Sequence, residues 1–133
     1  MDAGELKSRS KKFALRVVRL VRVLPKSLEA QVIGKQLLRS GTSVGANYRA
    51  VCRARSNAEF VSKLGVVLEE ADEATFWLEL LEEAGIFPAT KLEELKHEAE
   101  ELVRIFAASR ITAEKKLSRS NLKSEILNAI EET

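Results

Sequence analysis

Few residues in this chain have a type and spacing that could do chemistry. Glu94 and His97 stand as E-x-x-H, a spacing that sets a carboxylate and an imidazole on one helix face and forms half of a di-metal carboxylate site in a bundle. That chemistry needs a second such pair and further inward glutamates. The chain has one histidine, and by helical period His97 falls beside its apolar seam, so a surface histidine is expected and no metal site. Cys52 has Arg49, Arg53 and Arg55 nearby, which could lower a thiol pKa, but no histidine lies close in sequence to activate it. It is expected as a buried structural thiol. The acidic run Glu69, Glu70, Asp72, Glu73, Glu79, Glu82 and Glu83 reads as a solvated face or as partners for arginines, with Glu70 and Glu73 placed to meet a basic stripe on another helix or subunit. No catalytic residue and no cofactor is expected.

The basic residues carry more information. Lys35, Arg39, Thr42, Ala46, Arg49 and Arg53 recur at spacings of four and three, which lines them along one face of a helix. Ile33, Leu37, Ser40, Val44, Tyr48 and Val51 form the opposite, apolar face. Lys12, Arg16 and Arg19 repeat in the same way on an earlier segment whose seam is Phe13, Val17, Leu20 and Leu24. These seven cations are the candidate nucleic-acid-binding residues. Ser40, Asn47 and Tyr48 lie on or beside the seam, where polar groups need partners, and are read as a buried lock on helix register. With Tyr48 inward and no aromatic residue within the stripe, any nucleic-acid contact is electrostatic and shape-driven.

Charge is strongly divided along the chain. Residues 1–63 hold 14 Lys/Arg and 4 Asp/Glu, residues 64–109 hold 3 and 12, and residues 110–133 hold 5 and 4. Two readings follow: basic helices neutralised by acidic neighbours, or a basic half that faces phosphates or an acidic partner.

The elements that must position these residues are helices. At 133 residues, 45% hydrophobic and 32% charged, with only two prolines and six glycines, the chain suits a single all-α domain. Periodicity predicts a four-helix bundle over residues 1–116, with helices about 8–24, 28–55, 57–84 and 91–116, and a weakly helical or disordered tail over 117–133. Pro25 ends the first helix and Ser27 caps the second; Ser56–Glu59 and Thr90–Glu93 read as capping boxes. Gly34, Gly41 and Gly45 inside the second helix imply close helix approach or a bend. The third helix is apolar on nearly every side around Phe76, Trp77 and Leu80, with Val66 on the same side as Trp77, and these four residues are expected at a subunit interface. One cysteine and no long apolar run predict a cytoplasmic protein that does not span a membrane.

The run LLRSGTSVGANYRAVCRARSNAEFVSKLGVVLEEADEATFWLELL resembles the bacterial four-helix-bundle family of 23S ribosomal-RNA intervening-sequence proteins, the likeness spanning about residues 8–112. Asn47-Tyr48-Arg49, Arg53 and Trp77 through Leu81 are its specific parts. The resemblance implies an up-and-down bundle and a ring-shaped homo-oligomer, with a pentamer the form to expect. Some members are encoded within insertions in ribosomal-RNA genes. A related protein assists the reverse transcriptase of diversity-generating retroelements and binds nucleic acid through a basic surface. Lys35, Arg39, Arg49 and Arg53 match the basic positions best. Members often carry Glu where Ala50 stands, so any role of that acid is missing or moved here.

The sequence is therefore read as a non-enzymatic, oligomeric bundle that binds RNA or DNA through a basic surface, with a reverse transcriptase or another protein as a further partner. The rival is an adaptor whose basic and acidic faces pair between subunits without nucleic acid.

Overall fold

The computed structural model describes residues 1–132. Asp2 starts the first helix: its carboxylate accepts from the Glu5 amide at 2.8 Å, and α1 runs over Ala3–Val23, five residues ahead of the expected start. Leu24 turns to extended backbone ahead of Pro25, and the Ser27 hydroxyl then accepts from the Ala30 amide at the head of α2, Leu28–Val51. Helix α2 stops four residues short of the expected end. The Arg53 and Ala54 amides bond back to the Ala50 and Val51 carbonyls instead, making a tight turn.

Ser56 accepts from the Glu59 amide at 3.1 Å, and the Glu59 carboxylate accepts from the Arg55 amide at 3.2 Å, so the predicted box forms at the start of α3, Asn57–Glu83. Beyond Ala84, Gly85 takes φ 68°, and the Ile86 and Gly85 amides donate to Leu81 and Glu82, an ending that needs a residue without Cβ strain. Helix α4, Ala89–Glu132, begins just after Pro88, whose carbonyl accepts from the Lys91 amide. Thr90 is thus already inside the helix. No hydrogen bond joins it to Glu93 among the described residues, and the second capping box is not formed.

The neighbours run antiparallel. Gly34 meets Leu24, Gly41 meets Val17 and Gly45 meets the Ser10–Lys11 backbone, so α2 ascends as α1 descends. Gly65 lies under Arg110 while Glu82 meets Lys96, which sets α4 against α3 in the same sense. Helices α1 and α4 touch sparingly, and Arg9 bridges them to Glu98. The core is continuous across all four helices: Phe13, Val17, Leu37, Val44, Leu64, Leu78, Leu92 and Phe106 are essentially dry. The fold is a four-helix bundle, as the periodicity predicted.

Three expectations about polar groups are corrected or refined. Ser40 is fully buried, but its hydroxyl donates to the Gln36 and Leu37 carbonyls of its own helix, so it does not lock one helix to another. Asn47 is only half-buried. Tyr48 is buried, its ring 5.6 Å from that of Phe106. Cys52 is exposed rather than buried, because α2 ends one residue before it.

The tail is the largest departure. Residues 117–132 do not form a separate or unordered segment but prolong α4 without interruption, and almost all of their surface is open to solvent; Thr133, the last residue of the expected tail, lies outside the described residues. At 1.5 Å per residue α4 is about 66 Å long, against about 40 Å for α3. Among the described residues, no helix is long and apolar enough to cross a membrane.

Two outcomes test this packing. A Cβ on Gly41 would lie 2.8 Å from Val17 Cγ2, so Gly41→Ala should destabilise the protein by about 1 kcal/mol in urea unfolding despite the helix propensity gained. Val17→Ala in the same chain should remove the overlap and make the pair strongly non-additive. Burial, and then the Cys52 thiol beside it, push the Tyr48 hydroxyl up to about 12. The unfolded chain loses that proton near pH 10, so stability is full below pH 10 and declines as pH rises from there towards 12. As Tyr48 is the only tyrosine, phenolate absorbance at 295 nm reads it directly, and a native midpoint near 10 would contradict the packing.

Candidate nucleic-acid interface

Helices α1 and α2 approach closely because small residues line their seam: Gly34, Gly41 and Gly45 on α2 and Ser10 on α1. The seam sets two basic helices side by side. Their register places Gly45 beside Lys11 and Gly34 beside Val21 and Leu24. Arg49 and Arg53, at the far end of α2, therefore lie level with Lys7 and the start of α1. Lys35 shares a groove with Arg22 and Lys26 at the other end. Two turns of α2 between these ends carry only Thr42 and Ala46 on the outer line.

The seven predicted cations do not form one site. Lys35 and Arg49 are exposed on α2, and Arg53 is exposed in the turn that follows it. Arg16 and Arg19 line a second groove, between α1 and α4, with Lys91 and Glu94; the spacing of Lys12 puts it on the same side of α1. Arg39 leaves the set. Its guanidinium donates to Glu70 at 3.2 Å and to Glu73, tying α2 to α3. The hydrogen bond to Glu73 holds its pKa above the ordinary arginine value. Its position at the edge of the stripe nearest α3, within reach of Glu70 and Glu73, decides this.

Arg9 is engaged in the same way. It grips Glu98 with Nε and Nη2 at 2.7 and 2.6 Å, in a half-buried, bidentate geometry, and that hydrogen bonding raises its pKa. Of the 14 Lys/Arg in residues 1–63, Arg9, Arg39 and Lys63 make ion pairs. The other 11 make none among the described residues. Neutralisation between basic and acidic helices is therefore real but slight. Periodicity within one helix missed Lys7, Lys11 and Lys26; adding the antiparallel register of α1 on α2 would have found them.

Other chemistry is not assembled. His97 is 68% exposed with Glu101 at 3.9 Å, and no group of three or more potential metal ligands occurs among the described residues. The expected interface residues divide. Val66 and Phe76 are exposed, whereas Trp77 and Leu80 are half-buried against the core, with the Trp77 ring edge-on to Phe76 at 4.9 Å.

The family model for the 23S rRNA-intervening sequence protein matches residues 5–108, and the chain belongs to that family. Its fold is similar to the crystal structure of a protein of unknown function from the S23 ribosomal protein family of Bacteroides thetaiotaomicron VPI-5482. The two are 35% identical with a TM-score of 0.76, over 83% of this chain and 98% of that one. No curated protein matches the chain. The distal part of α4 lies beyond the family match.

The division between structural and unpaired cations is testable by urea unfolding. Arg9→Ala should cost about 1 kcal/mol, because it leaves Glu98 half-buried without its donor. Lys35→Ala and Arg53→Ala should each stay within about 0.5 kcal/mol of the parent. Equal losses at all three positions would contradict the assignment.

Proposed function

We propose that this protein is a non-enzymatic, self-associating helical bundle that binds RNA or DNA through the basic surface of α1 and α2. The observation that supports this reading most is the set of 11 unpaired cations on the first two helices and the turn after them, in a chain whose acids lie mostly elsewhere. Unpaired lysines and arginines on adjoining antiparallel helices raise a positive potential that attracts a phosphate backbone and releases its counterions on contact. Contact would be to phosphate and shape, because the face offers no ring for stacking: Tyr48 and Phe13 are buried. The family's description, which refers to 23S rRNA, is consistent with a ribonucleic acid as the polyanion.

Self-association is the second part of the proposal. Phe76 is 52% and Val66 is 44% exposed on α3, and contact with a second copy would remove that apolar surface from water. The resemblance implies a pentameric ring, which would multiply the basic face around an axis. A reducing cytoplasm suits the exposed thiol of Cys52.

Salt titration tests the binding. Affinity for a short single-stranded RNA should fall steeply between 50 and 200 mM salt, with log–log slope about −0.7 for each phosphate engaged. Lys35→Glu with Arg49→Glu and Arg53→Glu should weaken binding at least tenfold at low salt and flatten the slope by about 2. Arg39 is left intact so that the link between α2 and α3 survives. Unchanged affinity in the triple variant would overturn the site. If the parent binds no RNA and the triple variant dissociates into smaller species, the adaptor reading replaces this one.

A further inference from the structure

The last turns of α4 pose a problem that the bundle does not solve. Residues 117–132 are helical and almost entirely open to solvent, and Leu122, Ile126 and Leu127 are 57%, 52% and 51% exposed. An isolated helix of this length is marginal in water, so its apolar face needs a cover. The arm cannot supply one by folding back. No glycine or proline interrupts 89–132, and α4 passes the start of α3 at Asn57 and Phe60 before running on past the end of the bundle.

A matching surface exists on α3. Glu69, Phe76 and Glu83 recur every seven residues on its outer side, with Asp72 and Glu79 flanking Phe76 and Val66 beyond. Glu69, Asp72, Glu79 and Glu83 make no ion pair among the described residues. From Lys115 onward one face of α4 carries the complement, with Glu125, Glu131 and Glu132 falling off that face by helical period. Lys115, Arg119, Leu122 and Ile126 recur at four, three and four on one face, with Lys116 and Lys123 alongside. None of these four cations is ion-paired among the described residues. Basic and apolar thus meet acidic and apolar over similar lengths of helix, while the α1–α2 face has the wrong sign to receive the arm.

We infer that the arm of each protomer docks on the outer face of α3 in a second copy of this chain. The inference rests on the self-association proposed above and names its contact. Arm and face are different surfaces, so the contact is heterologous, the type that closes into a ring or runs on as a filament. The arm lies outside the family match, so this contact belongs to the present chain and not to the shared bundle.

Sedimentation equilibrium of the full chain tests it, with helix content followed by circular dichroism. The protein should sediment at a multiple of 14.8 kDa. Leu122→Asp with Ile126→Asp should lower that mass at least twofold at equal concentration, and so should Phe76→Asp; all three sites are exposed, so the bundle should stay folded. Reversing Arg119 and Lys123 to Glu should also lower it, and adding Glu69→Lys and Asp72→Lys to that chain should restore it. Full mass in the arm variants with loss in Phe76→Asp would overturn the arm contact while leaving self-association intact. Loss in the arm variants alone would overturn it in favour of pairing between arms, and a parent chain at 14.8 kDa would remove self-association and this contact together.

Discussion

The close packing of α1 on α2 is the contact on which the rest depends. Two helices that together carry 10 of the chain's 22 lysines and arginines, against two acids, repel each other, and apolar burial must outweigh that repulsion. Small residues make this possible: at Gly41 the α2 backbone comes so near Val17 that a single added methyl would overlap it. Val17, Leu37 and Val44 are fully dry, and each is worth about 1.5–3 kcal/mol when buried. Repulsion between solvated cations is much weaker per pair, because water and salt screen it. The seam therefore holds, and the cations are left together on the outside.

The acidic helices complete the arrangement without cancelling it. Arg39 fastens α2 to α3, and Arg9 fastens α1 to α4, where helix contact is sparse. In each case an arginine rather than a lysine makes the link, as suits a planar group that donates two hydrogen bonds at once. Such links fix which faces meet. They consume few charges, so the basic and acidic halves of the sequence remain largely unneutralised by each other, as the proposed contacts with a polyanion and with a neighbour's arm require.

Much of the fold was legible because helical period and end signals are local. Pro25, Ser27 and the Ser56–Glu59 box stopped or started helices where expected. Asp2-x-x-Glu5 is an equally good start signal, and the expected start at residue 8 overlooked it. Thr90 failed as a cap because the backbone after Pro88 was already helical, so the side chain had no free amide to accept from. The length of α4 was not legible: its distal turns lack a stop signal but also stay open to solvent, and sequence rules weigh the second fact too heavily. Within the candidate site, spacing found the exposed stripe of Lys35, Arg49 and Arg53. It could not separate Arg39, whose pairing depends on where α3 lies, although Glu70 and Glu73 had been marked as partners for some basic stripe.

Lysine footprinting on the assembled protein tests the central claim most directly. Acylation of surface lysines is measured by mass spectrometry with and without a short RNA at low salt. The account predicts protection of Lys7, Lys11, Lys26 and Lys35, with Lys115, Lys116 and Lys123 on the arm labelled equally in both states. Equal labelling of the α1–α2 lysines in the two states, or protection confined to the arm, would contradict it.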